Sequence, residues 1–200
     1  MTAPVPLRQL VPAPAVSLSP AELDEQLRRV LRAPCVAPFA PEVVAFFADL
    51  SRRLFQSDSA RVWPEIQALA YFLRKASLQR LQAEFRAKTG SRAPRGTVFH
   101  VPPGNVETLF CLGFALAALV GNRNLVRLSP RRSAVSDVLV SVLNEALAVD
   151  STGLRERTLM LEYEHQPELT LALSASCDVR TLWGGDETVR TLRAVPLPPR

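Results

Sequence analysis

All eight glycines of this 200-residue chain lie at Gly90 or beyond. Glycine supplies the tight and left-handed turns that join short strands, so the chain divides into two chemical regimes near residue 90. The first reads as helical. Ser19, Pro20 and Glu22 form an N-cap, a first-turn proline and a capping-box acid ahead of Leu23, Leu27, Val30 and Leu31 at helical spacing. This predicts a helix from about 20 to 32. Pro41 opens a second helix with Val43, Val44, Phe47, Leu50 and Leu54 on one stripe, and Pro64 a third with Ile66, Leu69, Leu73 and Ala76. The aromatic residues of this half fit a core better than a base-stacking platform. Residues 1–18, with Pro4, Pro6, Pro12 and Pro14, read as a flexible, polyproline-like lead-in without a signal core.

The second regime alternates strands and helices. Thr97 to Val101 reads as a strand, Pro102 to Gly104 as a turn, and Val106 to Val120 as a helix apolar on most sides. Leu125 to Leu128, Thr158 to Tyr163 and Val179 to Trp183 read as further strands; helices are expected at Ser133 to Leu147, Pro167 to Ala175 and about 186 to 194. Strand and helix in this alternation pair the strands in parallel. The expected architecture is a nucleotide-binding α/β sheet over 90–200, preceded by a helical segment over 19–89.

Composition excludes other classes. At 48% hydrophobic residues the chain buries a sizeable core, so disorder along its whole length is excluded. The net charge is +5, but all except two of the 24 basic residues are arginines spread from Arg8 to Arg200, which argues against a gathered nucleic-acid footprint. The longest uncharged apolar run, Leu109 to Val120, is twelve residues, against the roughly 20 that cross a bilayer. Cys35, Cys111 and Cys177 form neither a CxxC pair nor a metal pattern, so a reducing cytoplasm and no bound metal are expected.

In a parallel sheet, ligands gather at the carboxyl ends of the strands, where helix N-termini aim free N–H groups at anions. Three segments fall there. In His100-Val101-Pro102-Pro103-Gly104-Asn105, the last residue is either an ordinary N-cap or an amide aimed at a developing oxyanion. Arg127 sits in an otherwise apolar strand, so its charge must reach the sheet edge or a partner. With Arg131 and Arg132 it is either solvated or a fork for a ribose phosphate. Trp183-Gly184-Gly185-Asp186-Glu187-Thr188 ends a strand in a glycine turn that opens a helix; its backbone suits a pyrophosphate, while Asp186 would repel one. No GxGxxG or GxxxxGK[ST] stretch occurs.

Together the stretches GTVFHVPPGNVETLF, LVGNRNLVRLSPRRS and WGGDETVRTLRAVPLPPR resemble the acyl-CoA reductase (LuxC) family, the fatty-acid reductases of bacterial luminescence and their relatives in the aldehyde dehydrogenase superfamily. The resemblance runs from about residue 20 to the end. It implies a Rossmann-like cofactor domain in which Val101, Pro102, Pro103 and Gly104 line the nicotinamide and Asn105 donates to the oxyanion. It further implies that Arg127 and Ser129 meet the adenosine ribose with Arg131 close by, and that Gly184, Gly185 and Thr188 lie beside the pyrophosphate. Many NAD-preferring relatives place a glutamate on the ribose where this chain has Pro130, so NADP(H) is the expected cofactor. The implied reaction reduces an acyl-CoA or other activated acyl group to an aldehyde through a cysteine thioester, with an acyl-transferring or acid-activating protein as a possible partner.

None of the three cysteines matches the family's nucleophile, which lies beyond the last shared motif. The expectation is therefore either a piece of a longer reductase, inactive alone and prone to associate through exposed apolar surface, or a silent relative that keeps the fold as a binding or partner-docking module. His100 and His165 receive no role. The whole reading requires the tips of the strands after Val101, Leu128 and Trp183 to converge on one edge.

Overall fold

A computed structural model describes residues 7–88, 90, 92–131, 133–164 and 166–196, the side chain of Thr188 excepted. Strand β1 (Arg8–Val11) and strand β2 (Val16–Ser17) come first, then helices α1 (Pro20–Arg32), α2 (Pro41–Gln56), α3 (Asp58–Arg61), α4 (Pro64–Phe72) and α5 (Lys75–Ala87). There follow β3 (Thr97–Val101), α6 (Leu109–Leu119), β4 (Arg123–Leu128), α7 (Ala134–Ala148), β5 (Thr158–Glu162), α8 (Pro167–Ala175), β6 (Val179–Leu182) and α9 (Asp186–Ala194).

The six strands form one sheet in the order β2-β1-β5-β4-β3-β6. β5, β4, β3 and β6 run parallel, with Leu125 opposite Phe99 and Leu159, and Val101 opposite Leu182. The carboxyl tips of β4, β3 and β6 are therefore neighbours on one edge, as the sequence reading requires. α6 and α7 connect β3 to β4 to β5 in one direction, whereas α8 carries the chain back to the far side of β3. That reversal makes the junction of β3 and β6 the topological switch point, where such sheets open a crevice.

Alternation along each strand sends side chains to two cores. Val126, Leu128 and Met160 join α2, α4, α6 and α7 on one face. Phe99, Val101, Leu125, Leu159, Leu161 and Tyr163 join α1 and α8 on the other. α1 keeps its predicted capping box: Glu22 N donates to Ser19 Oγ at 3.4 Å, and Ser19 N donates to Glu22 Oε2 at 2.7 Å. Its Arg29 donates to the carbonyls of Arg155 at 2.7 Å and Thr158 at 3.0 Å, fastening the helix to the amino end of β5.

Three features differ from the sequence reading. The helix opened by Pro64, read with Leu73 and Ala76 on its stripe, ends at Phe72, and Ala76 belongs to the separate helix α5. Residues 8–17, read as a flexible lead-in, add an antiparallel hairpin beside β5. Pro12 and Pro14 occupy the turn, where no ladder N–H is needed, while Leu10 and Val11 are buried. α6 starts at Leu109 rather than Val106: Val106 is exposed, and the buried positions of the helix begin at Phe110 and recur at Cys111, Phe114, Ala115, Ala118 and Leu119.

The helical half docks on the sheet at Gly121. Val36 N donates to Gly121 O at 3.2 Å and Phe39 N to Leu119 O at 2.6 Å. Gly121 has φ +88°, and a Cβ on it would overlap the Val36 carbonyl. Gly121→Ala is therefore expected to destabilise the fold by about 2–4 kcal/mol, lowering the urea midpoint, whereas Gly104→Ala, with open space around it, should leave that midpoint nearly unchanged.

Candidate functional site

The carboxyl edge carries two hollows on opposite faces of the sheet. On the α6–α7 face a narrow cleft of about 40 Å³ lies between the β3–α6 loop and the β4–α7 turn, lined by Pro102, Pro103, Gly104, Glu107, Ser129, Arg131 and Ser133 among others. A space of that size holds a water or two and is too small for a nicotinamide ring. Ser133 caps α7 by accepting from Ser136 N at 3.4 Å, so the helix N-terminus opens into this cleft.

On the other face a groove of about 770 Å³ runs between α8 and α9, lined by Pro167, Thr170 and Leu171 on one side and Glu187, Thr191 and Leu192 on the other, with Arg127 at its floor. This is the size of a cofactor site. Arg127 follows Leu125 by two positions, and strand alternation turns it to this face. Its guanidinium carbon stands 5.1 Å from the centroid of the Tyr163 ring. Its Nε is buried and has no hydrogen-bond partner. A buried, unsatisfied cationic donor costs free energy unless an acceptor arrives, and the groove is where one can arrive. Tyr163 beneath it is fully buried; burial pushes its phenol up to about 12, partly offset by Thr170 and Arg127, so the ring is neutral.

The sequence-predicted residues thus separate. Pro102, Pro103 and Gly104 share the narrow cleft with Ser129 and Arg131; Arg127 lies across the sheet from them. Val101 is buried core, 2% exposed. Asn105 is exposed in the turn before α6, three residues ahead of the Thr108 cap position, so it is not the N-cap. Gly104 does not have the positive φ that the sequence reading allowed for it. Gly184 and Gly185 are exposed at the tip of β6, with Gly185 capping α9, whose first turn carries Asp186 and Glu187. The side chain of Thr188 and all of Arg132 and His165 lie outside the described residues. Thr170, Leu171 and Leu192 were not singled out from sequence. No local pattern marks them, because the groove exists only once α8 and α9 pack beside β6.

The thiols are placed away from both hollows. Cys111 is buried within α6, and burial pushes its thiol up to about 12. Cys177 is buried and donates to Ser174 O at 3.1 Å, while half-buried Cys35 faces Gly96 O at 3.9 Å near the amino ends of the strands.

Beneath the edge, His100 is 3% exposed and bridges three strands. Its Nε2 lies 3.0 Å from Asn124 Oδ1 and its Nδ1 2.9 Å from Thr181 Oγ1. Asn124 Nδ2 donates to Asn122 O at 3.1 Å, which fixes the amide so that Nε2 carries the ring proton and Nδ1 accepts from the threonine.

The edge and its switch point define a doubly wound α/β fold with a mostly parallel sheet. A crystal structure of an NAD-dependent benzaldehyde dehydrogenase from Corynebacterium glutamicum matches it with a TM-score of 0.55 at 12% identity, covering 90% of this chain and 43% of that one. The chain therefore spans less than half the length of that dehydrogenase. A mutant of Bradyrhizobium japonicum proline utilization A gives a TM-score of 0.44 at 18% identity, over 89% of this chain and 23% of that one. No curated protein matches in sequence. Residues 66–200 match the family described as acyl-CoA reductase (LuxC). The chain belongs to that family.

Burial holds His100 down to about 4 against its Asn124 hydrogen bond. A histidine depressed in the folded state contributes stability that is complete above the unfolded value of 6.5 and is lost as pH falls from there through about 4. The loss is on the order of 3 kcal/mol. Thermal melts between pH 7 and 4 should show the wild type falling steeply in this window, and His100→Gln starting lower but falling less.

Proposed function

We propose that the chain is the cofactor-binding part of an NADPH-dependent fatty acyl-CoA reductase. One observation carries the reading: Arg127, near the carboxyl tip of β4 and with a buried, unpartnered Nε, lines a cofactor-sized groove between α8 and α9 in which no second basic side chain is present among the lining residues. The groove fits an adenosine: Leu171 and Leu192 give apolar walls, Thr170 and Thr191 give hydroxyls, and Arg127 gives a planar donor for ribose or phosphate oxygen. Membership of the family supports an acyl-CoA as the substrate.

The preference for NADP(H) rests on the β4–α7 turn. Ser129, Pro130 and Arg131 offer no carboxylate to a ribose, so a 2′-phosphate that reaches over the sheet edge from the Arg127 groove meets a hydroxyl and a cation there. Glu187 on α9 is the carboxylate of the groove lining; it is exposed and at the first turn of its helix, where the helix dipole favours a negative charge.

When bound, the cofactor supplies hydride to an acyl carbonyl carbon. The chain's own part is to bind and orient. Arg127 holds the adenosine half, and the α7 N-terminus with Arg131 draws negative charge to the edge. Asn105, exposed and with an amide that makes no hydrogen bond among the described residues, is the donor available to the carbonyl oxygen in the role the family resemblance implies. The β3–α6 loop has to move outward from its present position for a nicotinamide to enter. Buried Cys111 and Cys177, and Cys35 at the opposite edge, are not placed to accept an acyl group. A thiolate rather than a thiol is the nucleophile, and burial opposes it at Cys111. This polypeptide by itself is accordingly expected not to reduce tetradecanoyl-CoA.

NADPH titrated into the purified chain should raise its melting temperature. Arg127→Ala should weaken that binding by roughly ten- to hundredfold, the worth of a charged hydrogen bond, with NADH binding more weakly than NADPH to the wild type. A shift that is the same in wild type and Arg127→Ala would remove the reading. Oxidation of NADPH on adding tetradecanoyl-CoA would show that one of the three thiols does reach the acyl group.

A further inference from the structure

The amino edge of the sheet, at the other end of the strands from the groove just described, carries a second donor-rich hollow. Two adjoining clefts of about 270 and 570 Å³ share Pro38, Phe85 and Arg92. Lys88 and Arg86 line the first, and Asn122 lies at the base of the second. The Arg92 guanidinium carbon stands 4.7 Å from the centroid of the Phe85 ring.

Three observations set this hollow apart from ordinary surface. Several exposed arginines of this chain pair with a nearby aspartate, Arg28 with Asp24, Arg52 with Asp49, Arg61 with Asp58 and Arg190 with Asp186, while others such as Arg80 and Arg193 stand singly without an ion pair among the described residues. Arg86, Lys88 and Arg92 have no ion-pair partner among the described residues, and no carboxylate lines either cleft. Next, Asn122 is 5% exposed, and its Oδ1 already accepts from the backbone N–H groups of Arg95 at 2.7 Å and Gly96 at 3.1 Å. Those two bonds fix the amide, so the unpartnered Nδ2 is the atom that faces the cleft. Finally, the cations surround a flat apolar surface made by Phe85 and Pro38. A hollow that offers cations and an amide N–H without a carboxylate selects an anion. One that adds an aromatic face selects an anion carrying a planar ring.

We propose that this hollow is a second nucleotide site, taking a nucleoside diphosphate with its base against Phe85 and its phosphates among Lys88, Arg92 and Asn122. Arg92 already lies over Phe85 and has only to lift for a base to enter beneath it, in the stacked arrangement that arginine and aromatic rings share. The site is independent of the Arg127 groove and of the function proposed for it. Its position at the amino ends of β3 and β4 makes it a place where a nucleotide binds without taking part in chemistry at the carboxyl edge.

ADP binding to the 200-residue chain, measured by isothermal titration calorimetry in the Arg127→Ala background, separates this hollow from the groove. ADP is expected to bind that variant with one site, and adding Lys88→Gln and Arg92→Gln should weaken binding at least roughly tenfold. These side chains are exposed, so the melting temperature should not change. Asn122→Asp, which places a carboxylate beneath the site, should weaken ADP as well; Arg80→Gln, exposed on α5 but outside the lining, should not. Pyrophosphate and adenosine offered separately should each bind more weakly than ADP. The proposal is overturned by absence of ADP binding in Arg127→Ala, by binding indifferent to the Lys88 and Arg92 changes, by pyrophosphate equalling ADP, or by polyglutamate binding more tightly than ADP.

Discussion

His100 ties β4 to β6 through both ring nitrogens, from the middle of β3 and under a helix that makes room for it at Gly113. A Cβ at that glycine would stand 3.3 Å from the imidazole Nδ1, so the ring and the helix determine each other's position. The three strands so joined are the three whose tips form the carboxyl edge. A slip of one residue in β3 would turn the imidazole to the opposite core and leave Asn124 and Thr181 without their partner. Register, and with it the alignment of the loops after Val101, Leu128 and Leu182, is in this sense held by a neutral histidine buried in a hydrogen-bonded line.

The sheet then divides the electrostatics of the molecule between its ends and faces. At the amino ends, Arg29 and Arg123 spend their donors on backbone carbonyls of Arg155, Thr158 and Leu31 and act as fasteners. Arg127 differs from these in its surroundings: it is the fifth of the six residues of β4, its guanidinium stands beside the Tyr163 ring, and it lines the groove, while the unsatisfied Nε is a feature it shares with Arg123 and Arg157. The distinction follows from position in the sheet, since a cation at a strand's start meets the helix that precedes it, whereas one near its carboxyl tip faces an open groove.

Much of this was legible in the chain itself. The capping box of α1, and the prolines that open α2, α4 and α8, act through bonds a few residues long, and their helices begin where the sequence places them. The four parallel strands were legible from short stretches rich in apolar residues that alternate with helical patterns. The hairpin of β1 and β2 was hidden, because prolines at 12 and 14 describe a turn and a lead-in equally well until an edge of β5 is there to receive Leu10 and Val11. The split of Arg127 from Ser129 was hidden for a related reason. Alternation puts the two on one face of an extended chain, but β4 ends at Leu128 and the backbone turns before Ser129. The walls of the groove, Leu171 and Leu192, and the partners of His100 are contacts between elements far apart in the chain. They follow from topology and from no local motif.

Hydrogen–deuterium exchange with and without saturating NADPH tests most directly whether the carboxyl edge is where the dinucleotide sits. The account predicts added protection in residues 126–131, 167–173 and 186–195, with the segment 8–17 unchanged. Protection confined to the amino edge, or none in the α8 and α9 segments, would contradict it.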